Sequence, residues 1–265
     1  MILSMATLGD AFAGYEIRSG GDSQGFAWSA GADWLATVLG AGRTLHAWAA
    51  QQDDVVSCTG RGTVHAVLAP TLGPDRRKRW VVRHYRRGGA VARYLDDRYL
   101  AAGDSRPMRE LKASVEARNR GVPTPAVVAG AVYTAGMFYR ADIVTEFIPD
   151  AVSLADLLFG GSDRQIDIES ALHIAGKVVR MLEDTHVLHP DVNAGNILLE
   201  DHRGAVEAHV IDLDRCNVLT RAAPVAPRFM RDRLERSLRK LSELHAVEMS
   251  AAGWQALRSG FETLQ

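Results

Sequence analysis

"LHPDVNAGNILLE", from Leu188 to Glu200, decides how this chain is read. It sets His189, Asp191 and Asn196 in an irregular stretch and then runs straight into apolar residues. Pro190 disfavours helix for the residue before it, and Ala194-Gly195 reads as a loop. Ile197-Leu198-Leu199 reads as a buried strand. Polar groups held on a loop against a strand are usually presented to something, and their types say to what.

Asp191 and Asn196 have the D-x-x-x-x-N spacing of a kinase catalytic loop, with His189 two residues before the Asp as in H-R-D. In that template the Asp receives the proton of an attacking hydroxyl, and the Asn oxygen helps hold a magnesium ion. A second signal follows in "AHVIDLDRC" (Ala208–Cys216), a strand running out into Asp212-Leu213-Asp214. A carboxylate at a strand end matches the metal-binding Asp of D-F-G. Mg²⁺ takes one or two carboxylates beside phosphate oxygens, so Asn196 and Asp212 suffice next to a nucleotide. Taken singly, each motif also fits an Asx-rich turn or an ordinary surface Asp. Their order, after a helix, points to a kinase.

The upstream half carries a matching phosphate-covering loop. "GRGTVHAV" (Gly60–Val67) fits G-x-G-x-x-G-x-V, with His65 at the third glycine. Gly60 and Gly62 let backbone N–H groups approach phosphates. In "WVVRHY", Arg83 stands where V-A-I-K has its lysine, and a planar guanidinium fork also clamps phosphate. Glu110, early in the following helix, is the candidate ion-pair partner, with Glu116 as the alternative. Pro190 replaces the arginine of H-R-D, Asp214 replaces the glycine of D-F-G, and no A-P-E precedes the helix starting near Arg228. These departures favour a kinase of small molecules or lipid-linked sugars over a protein kinase.

The rest of the chain fits an α+β, two-lobed plan. Residues 1–45 are Gly-, Ala- and Ser-rich and read as an N-terminal extension with one short helix near Trp34–Leu39. Short β-branched runs from Asp53 to Tyr85, a helix over "SRPMRELKASVEARNRG" and further strands to Ile148 make an N-terminal lobe, 46–148. From Ser153, three helical patterns dominate a C-terminal lobe, 149–265. The 265 residues are 47% apolar, enough for a real core, and the net charge of -1 gives no reason to expect nucleic acid. Two distant cysteines, Cys58 and Cys216, suit a reducing compartment. The opening residues lack a basic n-region, and no stretch has eighteen charge-free apolar residues. The expectation is a soluble or peripheral cytoplasmic protein.

With these residues assembled, the chain resembles the lipopolysaccharide core kinase family and its 3-deoxy-D-manno-octulosonic acid (Kdo) kinases. The resemblance runs from about Gly60 to "WQALRSGF" and rests on "GRGT", "VVRHYRRGG", "DRYL", "GVPTPAVVA", "YRADIVTE", "HPDVNAGNIL" and "IDLDR". "RHYRRGG" and "DRYL" are its family-specific parts. It implies a protein-kinase-like fold and transfer of the ATP γ-phosphate to a hydroxyl of Kdo in a lipid A precursor, at the cytoplasmic face of the inner membrane of a Gram-negative bacterium. It also implies Asp191 as catalytic base, Asn196 and Asp212 on Mg²⁺, and Arg83 with Glu110 toward the phosphates.

Two basic clusters bear on partners. One spans Arg76 to Arg87, the other Arg228 to Lys240. Both fit contacts to anionic lipid A groups or to the membrane surface. The second also fits a solvated helix face, since Asp232 and Glu235 sit among its arginines and Leu234, Leu238 and Leu241 make a core stripe. His84, His173, His186 and His245 lack metal-ligand spacing and read as structural. Two rival functions stay open beside Kdo phosphorylation. One is a kinase of this fold acting on heptose or on an aminoglycoside-like molecule, the other a nucleotide-binding pseudokinase.

Overall fold

The structure, a computed structural model, describes residues 12–59, 63–86, 97–202, 204–220 and 228–263. They form two compact units. One comprises the described residues up to Val115 together with Ala126–Phe147; the other comprises Glu116–Pro125 and the residues from Ile148 onward.

The first unit is an antiparallel sheet covered on both faces. Its elements are β1 (Tyr15–Gly20), β2 (Ser23–Trp28), α1 (Ala32–Gly40), α2 (Leu45–Ala49), β3 (Val56–Thr59), β4 (Thr63–Leu68), β5 (Arg79–His84), β6 (Tyr99–Leu100), the part of α3 (Arg106–Asn119) up to Val115, β7 (Val127–Ala135) and β8 (Phe138–Glu146). The sheet order is β1-β2-β7-β8-β5-β4-β3, with β6 pairing onto β8. Alternation along each strand feeds two cores. Ala27, Trp80, Val82, Ala131 and Val144 pack with Leu35, Val38 and Leu39 of α1 and Leu45 and Trp48 of α2. Their neighbours Phe26, Val132 and Ile143 pack with Met108 and Leu111 of α3. A bulge between Val127 and Ala129 keeps both faces of β7 supplied, and strands covered on two sides lose the polar half of their pattern.

Two expectations bear on this unit. Between residues 1 and 45 only a helix was legible, and α1 is that helix. The strands β1 and β2 beside it were not, because "YEIRSGGDSQGFAW" has small and polar residues where an exposed-edge hairpin tolerates them. β2 is nevertheless a full sheet member, in register with β7 from Ser23↔Tyr133 to Ala27↔Ala129. Gly60 and Gly62, the expected phosphate-loop glycines, lie outside the described residues.

The second unit contains β9 (Val152–Ser153), α4 (Leu154–Phe159), α5 (Ile168–Asp184), β10 (Val187–Leu188), β11 (Ile197–His202), β12 (Ala205–Val210), β13 (Asn217–Val218), α6 (Phe229–His245) and α7 (Ala251–Glu262). Asp167 starts α5 by accepting from Ser170 N–H (2.8 Å). Leu172, Ala175, Val179 and Leu182, at three- and four-residue spacing, bury its inner face. α5 and α7 touch backbone to backbone at Gly176 and Gly260. β12, β11 and β9 form one small sheet, and β10 pairs with β13. Among the described residues, no helix is long and apolar enough to cross a membrane.

Candidate active site

In the second unit, the pairing of β10 with β13 sets two loops side by side. One loop follows Leu188 and the other precedes Asn217, and these two residues are register partners. The first loop folds back on Asp191. Asn193 and Asn196 both donate their side-chain amides to the Asp191 carbonyl (2.7 and 3.2 Å), and Asn193 Oδ1 accepts from Gly195 N–H (2.9 Å). This Asx turn starts the 3-10 turn Ala194–Asn196 that runs into β11. With its amide nitrogen committed to the loop, Asn196 has its oxygen to offer a cation.

His189 joins the two loops from inside. It is fully buried. Its Nδ1 accepts from Asp191 N–H (3.3 Å) and its Nε2 faces the Ile211 carbonyl (3.1 Å). A backbone N–H can only donate and a carbonyl can only accept, so the network assigns the neutral Nε2–H tautomer. Burial pushes the imidazole pKa down, against upward pulls from the Ile211 carbonyl and the Asp212 and Asp191 carboxylates. A second tie runs from Ile211 N–H to the Asn196 carbonyl (3.0 Å). Asp212 follows in left-handed backbone (φ 66, ψ 57), a strained geometry for a non-glycine residue, and opens the 3-10 turn Leu213–Arg215. Asn196 and Asp212 thus supply an amide oxygen and a carboxylate from tied segments, and such hard oxygen donors fit Mg²⁺.

The Asp191 carboxylate is held from two sides. Arg215 Nη1 donates to Oδ2 (2.6 Å) and Arg233 Nη2 donates to Oδ1 (3.1 Å). Asp191 is 35% exposed and Arg215 58%, so these pairs meet water and are individually worth about 0–1 kcal/mol. Arg215 belongs to the "IDLDR" stretch. Arg233 comes from α6, and nothing in its spacing foretells the contact.

In the first unit, Arg83 Nη2 donates to both Glu110 oxygens (2.9 and 2.8 Å). Strand period explains the pair. Trp80 and Val82 face the α1/α2 side, which turns Arg83 and Tyr85 toward α3, where Glu110 is buried. Tyr85 donates its hydroxyl to Glu110 Oε2, and its ring lies 5.0 Å from the Arg83 Cζ. Glu116, the alternative partner, belongs to the second unit and pairs instead with Arg120 (2.9 Å). On the other face, His84 Nδ1 meets the buried Asp142 carboxylate (2.5 Å) and its Nε2 meets Asp97 (3.2 Å). Burial pulls the His84 pKa down, but Asp142 and then Asp97 outweigh it, and the net direction is up. "RHY" and "DRYL" therefore converge through His84–Asp97, a link with no sequence signal beyond the motifs themselves.

The basic helix α6 divides its charges. Arg231 forks onto Glu183 (2.9 and 2.6 Å), Arg233 holds Asp191, and Arg239 lies 4.4 Å from the Trp254 ring. Arg228, Arg236 and Lys240 remain exposed. The cluster is part internal framework and part solvated face.

Comparison with known proteins adds the following. A family model described as "Lipopolysaccharide kinase (Kdo/WaaP) family" matches residues 45–261. A protein of Photobacterium profundum named 3-deoxy-D-manno-octulosonic acid kinase is 33% identical over 217 residues, covering 81% of this chain and 86% of that protein. One of the same name from Vibrio vulnificus is 30% identical over 220 residues, covering 82% and 87%. A solved structure described as "WaaP in complex with acyl carrier protein" aligns over 83% of each chain at 17% identity, with a TM-score of 0.49.

Proposed function

We propose that this chain, a kinase that belongs to the lipopolysaccharide kinase (Kdo/WaaP) family, uses ATP to phosphorylate a hydroxyl of Kdo carried on a lipid A precursor. The observation that carries the reading is the tied pair of loops: Asp191 and Asn196 lie on one, and Ile211 N–H bonds to Asn196 just before Asp212 on the other. Support for the acceptor comes from relatives named Kdo kinases at 27–34% identity.

Asp191 accepts the hydroxyl proton as the acceptor oxygen bonds to the γ-phosphorus and the bridging oxygen leaves with ADP. Asn196 and Asp212 would hold Mg²⁺, which neutralises phosphate charge when bound. Arg83, mounted on Glu110 and Tyr85, takes the phosphates, and Gly60 and Gly62 are the proposed phosphate-loop residues. His189, neutral and buried, keeps the Asp191 and Asp212 loops in register. The exposed Arg228, Arg236 and Lys240 of α6 suit a peripheral seat on anionic lipid at the cytoplasmic face of the inner membrane.

The test is ATP turnover by the purified protein on a Kdo-lipid A precursor, against heptose-bearing and aminoglycoside acceptors. Turnover is expected on the Kdo acceptor. It should fall about a hundredfold to ten-thousandfold in Asp191→Asn, which keeps the turn geometry but removes the base. Equal turnover on the other acceptors, or an active Asp191→Asn, would refute the reading.

A further inference from the structure

Asp191 presents an oddity for a base that must receive a sugar hydroxyl. Both of its oxygens already accept from guanidinium groups, Arg215 on Oδ2 and Arg233 on Oδ1. A base needs room for one incoming hydroxyl, not two cations, so the arginines call for a purpose of their own. Guanidinium groups match planar carboxylates, with two parallel N–H donors on two oxygens. Arg215 spends only Nη1 on Asp191, by a single contact, and its side chain is 58% exposed. Arg233 likewise gives Asp191 only Nη2; its side chain is 34% exposed, while its Nε–H is buried and has no hydrogen-bond partner among the described residues. Each of these contacts can be exchanged for a similar one at little net change, because one carboxylate replaces another in water-exposed surroundings.

The chemical class that fits is therefore a sugar acid, an acceptor carrying its own carboxylate close to the hydroxyl that reacts. We infer that Arg215, with Arg233 beside it, reads the carboxylate of the acceptor, and that Asp191 holds that fork in place until the acceptor arrives. The inference rests on the proposed function and extends it. On docking, the acceptor carboxylate takes the N–H groups of Arg215, and the Asp191 Oδ2 that Arg215 held becomes available to the hydroxyl. The acceptor then builds its own base site, and a neutral sugar, with nothing to offer Arg215, meets a carboxylate whose Oδ2 Arg215 still engages. Selection for an acid and release of the base are one event.

The experiment compares a Kdo-bearing lipid A precursor with the same acceptor carrying its Kdo carboxylate as a methyl ester, at saturating ATP. The wild type should prefer the acid about 10- to 100-fold in kcat/KM, the range expected for losing a charge-assisted contact. Arg215→Gln should bring that ratio close to one, by raising KM for the acid and by freeing Oδ2 for the ester. Arg215→Lys, which keeps the charge without the fork, should fall between. An arginine that merely props up Asp191 would slow both acceptors equally and leave the ratio untouched. An unchanged ratio in Arg215→Gln thus overturns the inference while the proposed function stands. Absence of turnover on the Kdo acceptor by the wild type overturns both. Arg215 is surface-exposed, so the variant should fold, and an unchanged circular dichroism spectrum verifies it.

Discussion

Glu146 closes β8 as a carboxylate almost without contact with water. The loop between β4 and β5 wraps it. Asp75 N–H donates to Oε2 (2.9 Å), Arg77 N–H to Oε1 (3.2 Å), and Gly73 lies so close that a Cβ there would come 2.2 Å from Oε1. Burial pushes its pKa from 4.5 up to about 7; the Arg77 and Asp75 N–H groups pull back, while the Asp75 carboxylate pushes the same way as burial. The folded protein thus holds the proton more tightly than the unfolded chain. The stabilisation this gives is complete below about pH 4.5 and is lost as pH rises through about 7. The shift corresponds to roughly 3 kcal/mol. Urea unfolding at pH 5 and pH 8 should therefore show a larger stability loss in the wild type than in Glu146→Gln. Equal losses would contradict the assignment; because His84 titrates with the same sign, only the difference between the two proteins is diagnostic. Residues like this one are hidden in a sequence, since the loop that buries Glu146 lies some seventy positions away. Asp191 and Asn196 were legible because one loop carries both. Arg215 and Arg233 were not, being 24 and 42 residues from the carboxylate they hold.

Helices carried the clearest sequence signal, and their mutual fit carried none. Pro107 early in α3 and Gly121 just past it bracket the helix as their chemistry requires. Apolar spacing gave α5 and α6 their buried faces. The closeness of α5 to α7 is a different matter. A Cβ on Gly260 would sit 2.1 Å from the His173 carbonyl oxygen and 2.9 Å from Gly176 Cα, so no side chain can move aside to admit it. Gly260→Ala should force the two helices apart. The expected cost is about 1–3 kcal/mol, with the melting temperature falling roughly 2–4 °C for each. A melting temperature equal to wild type would mean that the helices pack less tightly than this contact implies. Composition presents Gly260 as a helix weakener inside "RSGF", whereas packing makes it the only residue small enough for the place.

At the scale of the whole molecule, the family match begins at residue 45, but the first unit does not. Ahead of that point lie β1, β2 and α1, and with them Phe26, Ala27, Leu35, Val38 and Leu39, all buried. A protein trimmed to 45–265 would expose the β7 edge that β2 covers and one side of both sheet cores. It should partition into the insoluble fraction while the full chain stays soluble. A soluble, active 45–265 protein would show these strands to be dispensable. The α+β division was legible because strand and helix periods segregate along the chain. The place of β2 inside the sheet, between β1 and β7, was not, because β7 is remote in sequence.

That remoteness has a consequence for how the protein is made. Ser23 of β2 lies opposite Tyr133 of β7, so a ribosome must add 110 further residues before the partner exists. At 5–20 residues per second this takes roughly 5 to 20 s. For that interval the β1–β2 hairpin waits without its β7 partner, with Phe26 unseated, a natural moment for a chaperone to intervene.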